Sequence, residues 1–454
     1  MARATEGAPP IPAATGRWPF LAPFASRGFR FQFPADSCTA WALEMETLIL
    51  GWYVLVHTGS VLMLTAFGAL QFVGTLASPL LGTLGDRLGL RRVLASMRFA
   101  YAALSGVILL LAATGHLSPW AVLAVAGVAG MLRPSDIGMR TALVGATVPP
   151  QHLMAAMGIS RTSMDSAKVA GALVGAGVVA VFGMVVAYAA ITLIHLAGAL
   201  LTLRADIGHQ RLQILPDLPL ATRLPTDASP PPPLPSRPSH WHEMREGLAY
   251  IWHTPLLRAA MAVAALVNLS AFPLSGGLMP YIAREVFQLD QRGLGWLIAS
   301  FASGALAGSV LMGVLGSRLR PGRTMLLACV LWYLCLFGFV STRQPGLAML
   351  LLAAAGAAQS TSMLALAMLL LRGSDQRFRG RIMGARMLAI YPLPLGLLLA
   401  GALIPRLGYG ATAYAMLVTG LLLAVAIGLA WRDQLWGLDA PGNARNMPVI
   451  LRVR

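Results

Sequence analysis

The sequence predicts an all-α protein that crosses a membrane twelve times as two pseudo-symmetric six-helix bundles. Only 11% of its 454 residues are charged and 57% are hydrophobic, whereas soluble proteins carry about a quarter charged residues. Twelve apolar segments each reach the ~20 residues that a membrane-spanning helix needs. A short basic sequence pattern also occurs twice, once in each half. Together these observations indicate a polytopic membrane protein with an internal repeat.

The twelve predicted spans are numbered here in chain order. The first half contains spans at 35–57, 61–84, 92–113, 118–141, 152–181 and 184–204, and the second half contains spans at 258–284, 291–316, 322–341, 346–371, 380–404 and 408–432. Turns such as 57–60 and 114–118 are so short that the spans on either side must be antiparallel neighbours.

The segments outside the bundles are expected on the cytoplasmic side. They are an N-terminal interfacial segment (1–34), a linker (205–257) between the bundles at 35–204 and 258–432, and a tail (433–454). The linker contains a stiff polyproline-like stretch at 229–235. Trp241, Met244, Leu248 and Ile251 then recur at helical spacing, which predicts an amphipathic helix on the membrane surface before span 7.

The net charge of +17 is explained by topology. Arginines concentrate in the two ends of the chain, the linker and the even-numbered loops, and this asymmetry predicts cytoplasmic termini in a bacterial inner membrane. The charge therefore gives no reason to expect nucleic acid as a partner. Cys38, Cys329 and Cys335 lack metal-ligand spacing, and no phosphate-binding loop is present to use ATP. We expect a monomer in lipid without metal or cofactor.

The repeated basic pattern follows spans 2 and 8. The first copy reads Gly82-Thr-Leu84-Gly-Asp86-Arg87-Leu-Gly89-Leu-Arg91-Arg92, and the second reads Gly313-Val-Leu315-Gly-Ser317-Arg318. It resembles the signature loop of the major facilitator superfamily of secondary transporters. The segments that lead into spans 5, 7 and 11 are similar to those of the exporter branch that includes siderophore (enterobactin) and macrolide exporters. The resemblance implies two bundles that work by alternating access.

The resemblance also implies an ionic contact that holds the cytoplasmic side closed in the outward-facing state. Asp86 would meet the start of span 11 near Arg379 and Arg381, where the helix dipole and the arginines favour a carboxylate. A solvated helix end is the alternative interpretation of Asp86. The expected gating residues are Gly82, Asp86, Arg87, Gly89, Arg91, Arg92, Arg318, Arg379 and Arg381.

Charged residues inside the predicted spans are the candidates for proton coupling, because each costs at least ~2.5–3.5 kcal/mol to insert. Span 1 carries Asp36, Glu44 and Glu46, and span 4 carries Arg133, Asp136 and Arg140 on one stripe. Glu44 and Glu46 lie two residues apart, so they cannot both face one cavity. We expect one of them to exchange a proton beside a span 4 arginine. The alternative is a set of permanent salt bridges that only neutralise buried charge.

Span 5 carries a second stripe, Arg161, Asp165 and Lys168, which can pair within its own helix. The following Gly171-Ala-Leu-Val-Gly175-Ala-Gly177 resembles the antiporter motif of the superfamily, with Ala172 in the place of its proline. Proline and glycine interrupt spans 7 and 11, and such breaks either line a transport site or are kinks that serve packing. Residues that either line the cavity or belong to the core are Trp41, Gln71, Asn268, Phe272, Gln359 and Tyr391.

These features favour a secondary transporter that exports a small amphipathic, drug- or siderophore-like molecule in exchange for protons. An importer or symporter on the same fold is the first alternative. A polytopic membrane enzyme or sensor is the second, but neither would need two similar halves. We therefore expect no enzymatic activity.

Overall fold

The computed structural model describes residues 19–75, 89–149, 152–205, 240–315, 319–373 and 387–437. These residues are helical and contain no strand. The numbered helices are α1 (Arg27–Thr58), α2 (Val61–Leu70), α3 (Leu90–Ala113), α4 (Pro119–Thr147), α5 (Leu153–Arg204), α6 (His240–His253), α7 (Pro255–Ser270), α8 (Gln291–Leu315), α9 (Pro321–Ser341), α10 (Pro345–Arg372), α11 (Pro392–Leu407), α12 (Tyr409–Ala430) and α13 (Arg432–Gly437).

The helices confirm the predicted fold class. Among the described residues, eight helices are long and apolar enough to cross a membrane, and one of them, α5, is bent into two spans at Gly183. The shorter apolar helices α2, α7 and α11 complete twelve passes. The helix α6 occupies the place of the predicted surface helix. The first spanning helix begins at Arg27 rather than near residue 35, with Pro34 inside it.

Two glycines turn the chain at corresponding places in the two halves. Gly183 divides α5 into a first and a second arm with φ 79° and ψ 178°, and Gly408 joins α11 to α12 with φ 83° and ψ 160°. A side chain at either position would be strained, because positive φ is freely available only to glycine. The same backbone conformation therefore turns span 5 into span 6 and span 11 into span 12.

Proline and glycine break the seventh span into short pieces. After α7 come helical turns at Phe272–Ser275 and Met279–Tyr281 and a π-helical turn at Ile282–Val286. Pro273 and Pro280 lack the N–H group that a continuous helix requires. Local bonds compensate in part, since Leu278 N donates to the Pro273 carbonyl at 3.0 Å. Span 11 likewise contains a 3₁₀ turn, Met387–Ile390, before α11.

Small residues bring the helices of each bundle and the two bundles close together. In the first bundle, a Cβ atom on Gly175 would lie 3.1 Å from the Met45 Cα, so the first arm of α5 packs directly on α1. The bundles meet where α5 packs on α8 and α2 packs on α11. At these contacts Gly295 faces Ala176, and Gly401 faces Thr65. Close approach of small residues is a usual way to hold helices together in lipid.

We predict that Gly304→Ala destabilises the second bundle by about 1–3 kcal/mol, the usual cost of overpacking. A Cβ atom there would lie 1.8 Å from the Ala353 carbonyl oxygen on α10. Because that oxygen is backbone, the helices must separate. Thermal unfolding in detergent measures the effect.

Gly313→Ala is the matched control, because it lies on the same helix and its Cβ atom would meet nothing within 4 Å. Equal unfolding temperatures for the two variants would contradict the packing seen between α8 and α10.

Candidate functional site

Four charged side chains form a closed cluster inside the first bundle. Arg98 on α3 donates to the Asp36 carboxylate on α1, and Arg140 Nη2 lies 2.8 Å from Asp136 Oδ2 on α4. The cross contacts complete a square, with Arg98 Nε 3.8 Å from Asp136 Oδ1 and Arg140 Nε 3.7 Å from Asp36 Oδ1. All four residues are buried. Two carboxylates and two guanidinium groups therefore neutralise one another away from solvent.

Neutral polar groups enclose this charge cluster. Arg98 Nη1 also donates to Thr202 Oγ1 at the end of α5. Gln32 Nε2 donates to the Arg140 carbonyl at 3.1 Å, and Thr147 Oγ1 donates to Gln32 Oε1 at 2.9 Å. The cluster thus ties α1, α3, α4 and α5 together. Asp36, Asp136 and Arg140 were candidates for proton coupling, and in the structure all three are paired within this cluster.

Arg98 was not among the residues predicted to carry function. Its α3 segment reads Arg98-Phe-Ala-Tyr101, and one arginine a turn inside a span resembles an ordinary helix-end anchor. Charge balance could have indicated Arg98. Asp36 on span 1 needs a basic partner, and the arginines of span 4 also have Asp136 to neutralise. Its distance from both acids along the chain concealed the pairing.

A second polar group is built around Arg133 on α4. Arg133 Nη1 donates to Gln71 Oε1 at the end of α2, and Arg133 Nη2 lies 4.0 Å from Glu44 Oε1 on α1. Thr47 Oγ1 donates to Gln71 Oε1 at 3.2 Å. The Glu44 and Arg133 side chains are 27% and 22% exposed, so this ion pair remains accessible. Arg133 therefore links three helices of the first bundle through a partly open contact.

Glu46 has different surroundings from every other acid in the spans. Ser105 Oγ on α3 donates to Glu46 Oε1 at 2.5 Å, and His195 Nε2 on the second arm of α5 lies 3.5 Å from Glu46 Oε2. Within the described part of the chain, no lysine or arginine nitrogen lies within 4.0 Å of this carboxylate. Glu46 is thus a carboxylate in the bundle that contacts a hydroxyl and an imidazole group.

Glu46 lines a small cavity between α1, α2, α3 and α4. The cavity has a volume of about 40 Å³ and is lined by polar and apolar side chains, among them Glu46, Thr47, Gln71, Tyr101 and Arg133. A larger open cleft of about 530 Å³ lies between α1 and the first arm of α5, lined by Phe33, Ala155, Ile159, Thr162, Ser163 and Ser166. Glu46 and Arg133 thus share one cavity, and Glu44 is not among the residues that line it.

The charge stripe of span 5 pairs within its own helix. Arg161 Nε lies 3.0 Å from Asp165 Oδ2, and Lys168 Nζ lies 3.8 Å from Asp165 Oδ1. Asp165 is buried, and Ser309 Oγ on α8 of the other bundle donates to its Oδ2 at 3.3 Å. Asp165 is therefore also a contact between the two bundles.

The remaining cavity candidates divide between core and surface. Asn268 is buried and donates to the Ala264 carbonyl of its own helix at 2.8 Å, and Phe272 packs edge-on against Trp332 with ring centres 4.9 Å apart. Trp41, Gln359 and Tyr391 are half-buried. Of the six candidates, Gln71 is the one joined to the ionisable groups by the hydrogen bonds described above.

The signature loop is described only at its end. Gly89 precedes α3 with φ 90°, Arg91 Nη1 donates to the Ala205 carbonyl at 3.4 Å, and Arg92 is exposed. The other predicted gating residues lie outside the described residues: Gly82, Asp86, Arg87, Arg318, Arg379 and Arg381. Across the described ranges, no group of three His, Cys, Asp or Glu side chains converges to hold a metal ion.

Twelve spans in two bundles, with ionisable groups buried between the helices, define an integral membrane transporter. The chain belongs to the Major Facilitator Superfamily, whose sequence profile matches residues 37–391 and again 261–446. Members of this family are transporters and not enzymes. The resemblance inferred from the signature loop is therefore confirmed at the level of the family.

The chain is similar to a curated exporter and to several solved transporters. It is 28% identical over 181 residues to the "Multidrug efflux pump Tap" of Mycolicibacterium fortuitum, a match that covers 40% of this chain and 44% of that protein. A POT family transporter in complex with 5-aminolevulinic acid superposes with a TM-score of 0.65 at 11% identity, covering 90% of this chain and 97% of that one. A D-xylose-proton symporter gives 0.63 at 13% identity, with 88% and 96% covered. The structural matches establish the fold alone.

Proposed function

We propose that the chain exports a small amphipathic, drug-like molecule across a bacterial inner membrane in exchange for protons. The observation that carries the proton part is the contrast between the half-buried Glu46 and the buried acids Asp36 and Asp136. Asp36 and Asp136 each contact two guanidinium groups, whereas Glu46 contacts Ser105 and His195. A half-buried carboxylate without an arginine or lysine partner lacks the ion pair that would hold it in its charged form.

The neighbouring Arg133 connects proton binding to the bundle. Arg133 lines the same cavity as Glu46 and also contacts Glu44 and Gln71. When Glu46 is deprotonated, its negative charge attracts the guanidinium group across the cavity. When Glu46 is protonated, that attraction ends and Arg133 keeps its contacts to Glu44, Gln71 and Thr47. Proton exchange thereby alters the contacts among α1, α2 and α4, and a transporter needs such a differential interaction to shift between states.

Two observations support an amphipathic substrate and export. The open cleft beside α1 combines apolar side chains such as Phe33 and Ile159 with the hydroxyls of Thr162, Ser163 and Ser166. The curated relative is a multidrug efflux pump. Several neighbours in fold are named for uptake substrates, including a D-xylose-proton symporter. Proton-coupled import is therefore the alternative that the experiment must distinguish.

The experiment is transport in proteoliposomes with an imposed pH gradient and a panel of fluorescent amphipathic compounds. For antiport, we expect compound to accumulate on the acidic side and a protonophore to abolish the accumulation. Accumulation on the alkaline side would identify a symporter and contradict export. Accumulation that is insensitive to the protonophore would contradict proton coupling. Empty liposomes under the same gradient control for passive trapping of weak bases.

A further inference from the structure

His195 is a buried titratable group for which the preceding mechanism has no role. It lies on the second arm of α5 with 0% exposure, and neither ring nitrogen has a hydrogen-bond partner. Leaving a buried donor or acceptor unpaired is unfavourable. Its Nε2 atom points to the Glu46 carboxylate at 3.5 Å. An imidazolium at this place would form an ion pair with Glu46 and so offset that cost.

The groups around His195 leave Glu46 as its charged partner. Tyr101 on α3 lies with its ring centre 5.7 Å from the imidazole, and Tyr188 is one heptad earlier on the same helix as His195. Arg133 approaches from α4, on the other side of the cavity that Glu46 and Tyr101 line. The cluster around Arg98 lies beyond Tyr101, one turn earlier on α3, and its charges are already balanced. Among the described residues, Glu46 is therefore the acidic group in direct contact with the imidazole.

We propose that Glu46 and His195 form one proton-binding site, in which the proton enters at Glu46 and is held as a carboxylate–imidazolium pair. This inference rests on the proposed proton coupling and specifies its site. Glu46 lines the cavity and His195 does not, so Glu46 receives the proton and passes it to Nε2. Binding of the proton changes the net charge of the Glu46–His195 pair from −1 to zero. Imidazole is the side chain whose charge ordinarily changes between pH 5 and 8, which suits loading near neutral pH.

The first test is the pH profile of proton-coupled transport in proteoliposomes. Because imidazole holds the proton more tightly than a carboxylate alone, His195→Gln should move the half-maximal pH downward by at least about one unit, a tenfold loss of proton affinity. His116→Gln is the matched control, since His116 is exposed in the turn between α3 and α4. An unchanged pH profile in His195→Gln would overturn the inference while leaving the proposed function intact.

The second test observes the proton directly and does not require transport. The protein is labelled with ¹⁵N-histidine and placed in lipid nanodiscs. The imidazole signal that is missing in His195→Gln belongs to His195. If that variant misfolds, His195→Asn serves for the same assignment. We expect this signal to titrate between about pH 5 and 9, and Glu46→Gln to move its midpoint to lower pH because the stabilising carboxylate is gone. A signal that does not titrate, or one that Glu46→Gln leaves unmoved, would refute the paired site. Titration as expected without proton-driven transport would keep the paired site and reject the proposed function.

Discussion

Replacing Arg98 by leucine is expected to destabilise the first bundle by about 3–5 kcal/mol, the usual cost of removing one partner from a buried ion pair. The substitution leaves Asp36 and Asp136 buried with Arg140 as their sole cationic partner among the described residues. It also removes the contact to Thr202 that ties α3 to the end of α5. Loss of transport should therefore follow from loss of folded protein, and not from a change in coupling.

Thermal unfolding in detergent, followed by circular dichroism, measures this effect. Arg92→Leu is the matched control because Arg92 lies on the same helix and is exposed, so it should unfold close to wild type. The double variant Arg98→Leu with Asp36→Leu restores charge balance and should recover much of the lost stability. If Arg98→Leu unfolds at the same temperature as Arg92→Leu, the cluster is not a structural element of the bundle.

Replacing Glu46 by glutamine is expected to abolish the response of transport to a pH gradient. Glutamine keeps the size of the side chain and can accept the hydrogen bond from Ser105, but it binds no proton. Transport down a compound gradient should continue, because the fold and the open cleft are unchanged. Proteoliposome assays with and without the imposed pH gradient separate these two activities.

The comparison with Glu44→Gln distinguishes the two glutamates of α1. Glu44 already has a cationic partner in Arg133, so its substitution should slow transport and preserve the response to pH. Glu246→Gln on α6 makes the same chemical change outside the bundles and should match wild type. A Glu46→Gln variant that still accumulates compound against its gradient when the pH gradient is imposed would rule out Glu46 as the proton carrier.

Local sequence rules were sufficient for most helix boundaries. Ser118 and Pro119 begin α4, with Ser118 Oγ accepting from Ala121 N at 3.3 Å, the arrangement expected of a serine cap. Gly59 ends α1 in the left-handed conformation. Pro273 and Pro280 break span 7 where they occur in the sequence. These features depend on residues within one or two turns, so they are visible without knowledge of the fold.

The ionic partners could not be predicted in the same way. The span 4 stripe indicated that Asp136 and Arg140 share a helix face, and they do pair. No rule of helix spacing chooses between Glu44 and Glu46 as the partner of Arg133, since either is reachable from α4. Arg98 and His195 were overlooked because their partners lie 62 and 149 positions away in numbering. Spacing along a helix carries no information about such contacts.

The amino-acid sequence by itself determined the membrane class, the twelve spans and the repeat of two halves, because hydrophobic length and local turn chemistry act over short stretches of chain. Only the tertiary structure decided which acids pair with arginine and which one meets a hydroxyl and an imidazole. The physical reason is that the cost of a buried charge depends on the atoms within a few ångströms of it. In this protein those atoms belong to α1, α3, α4 and α5, which meet only when the bundle is packed.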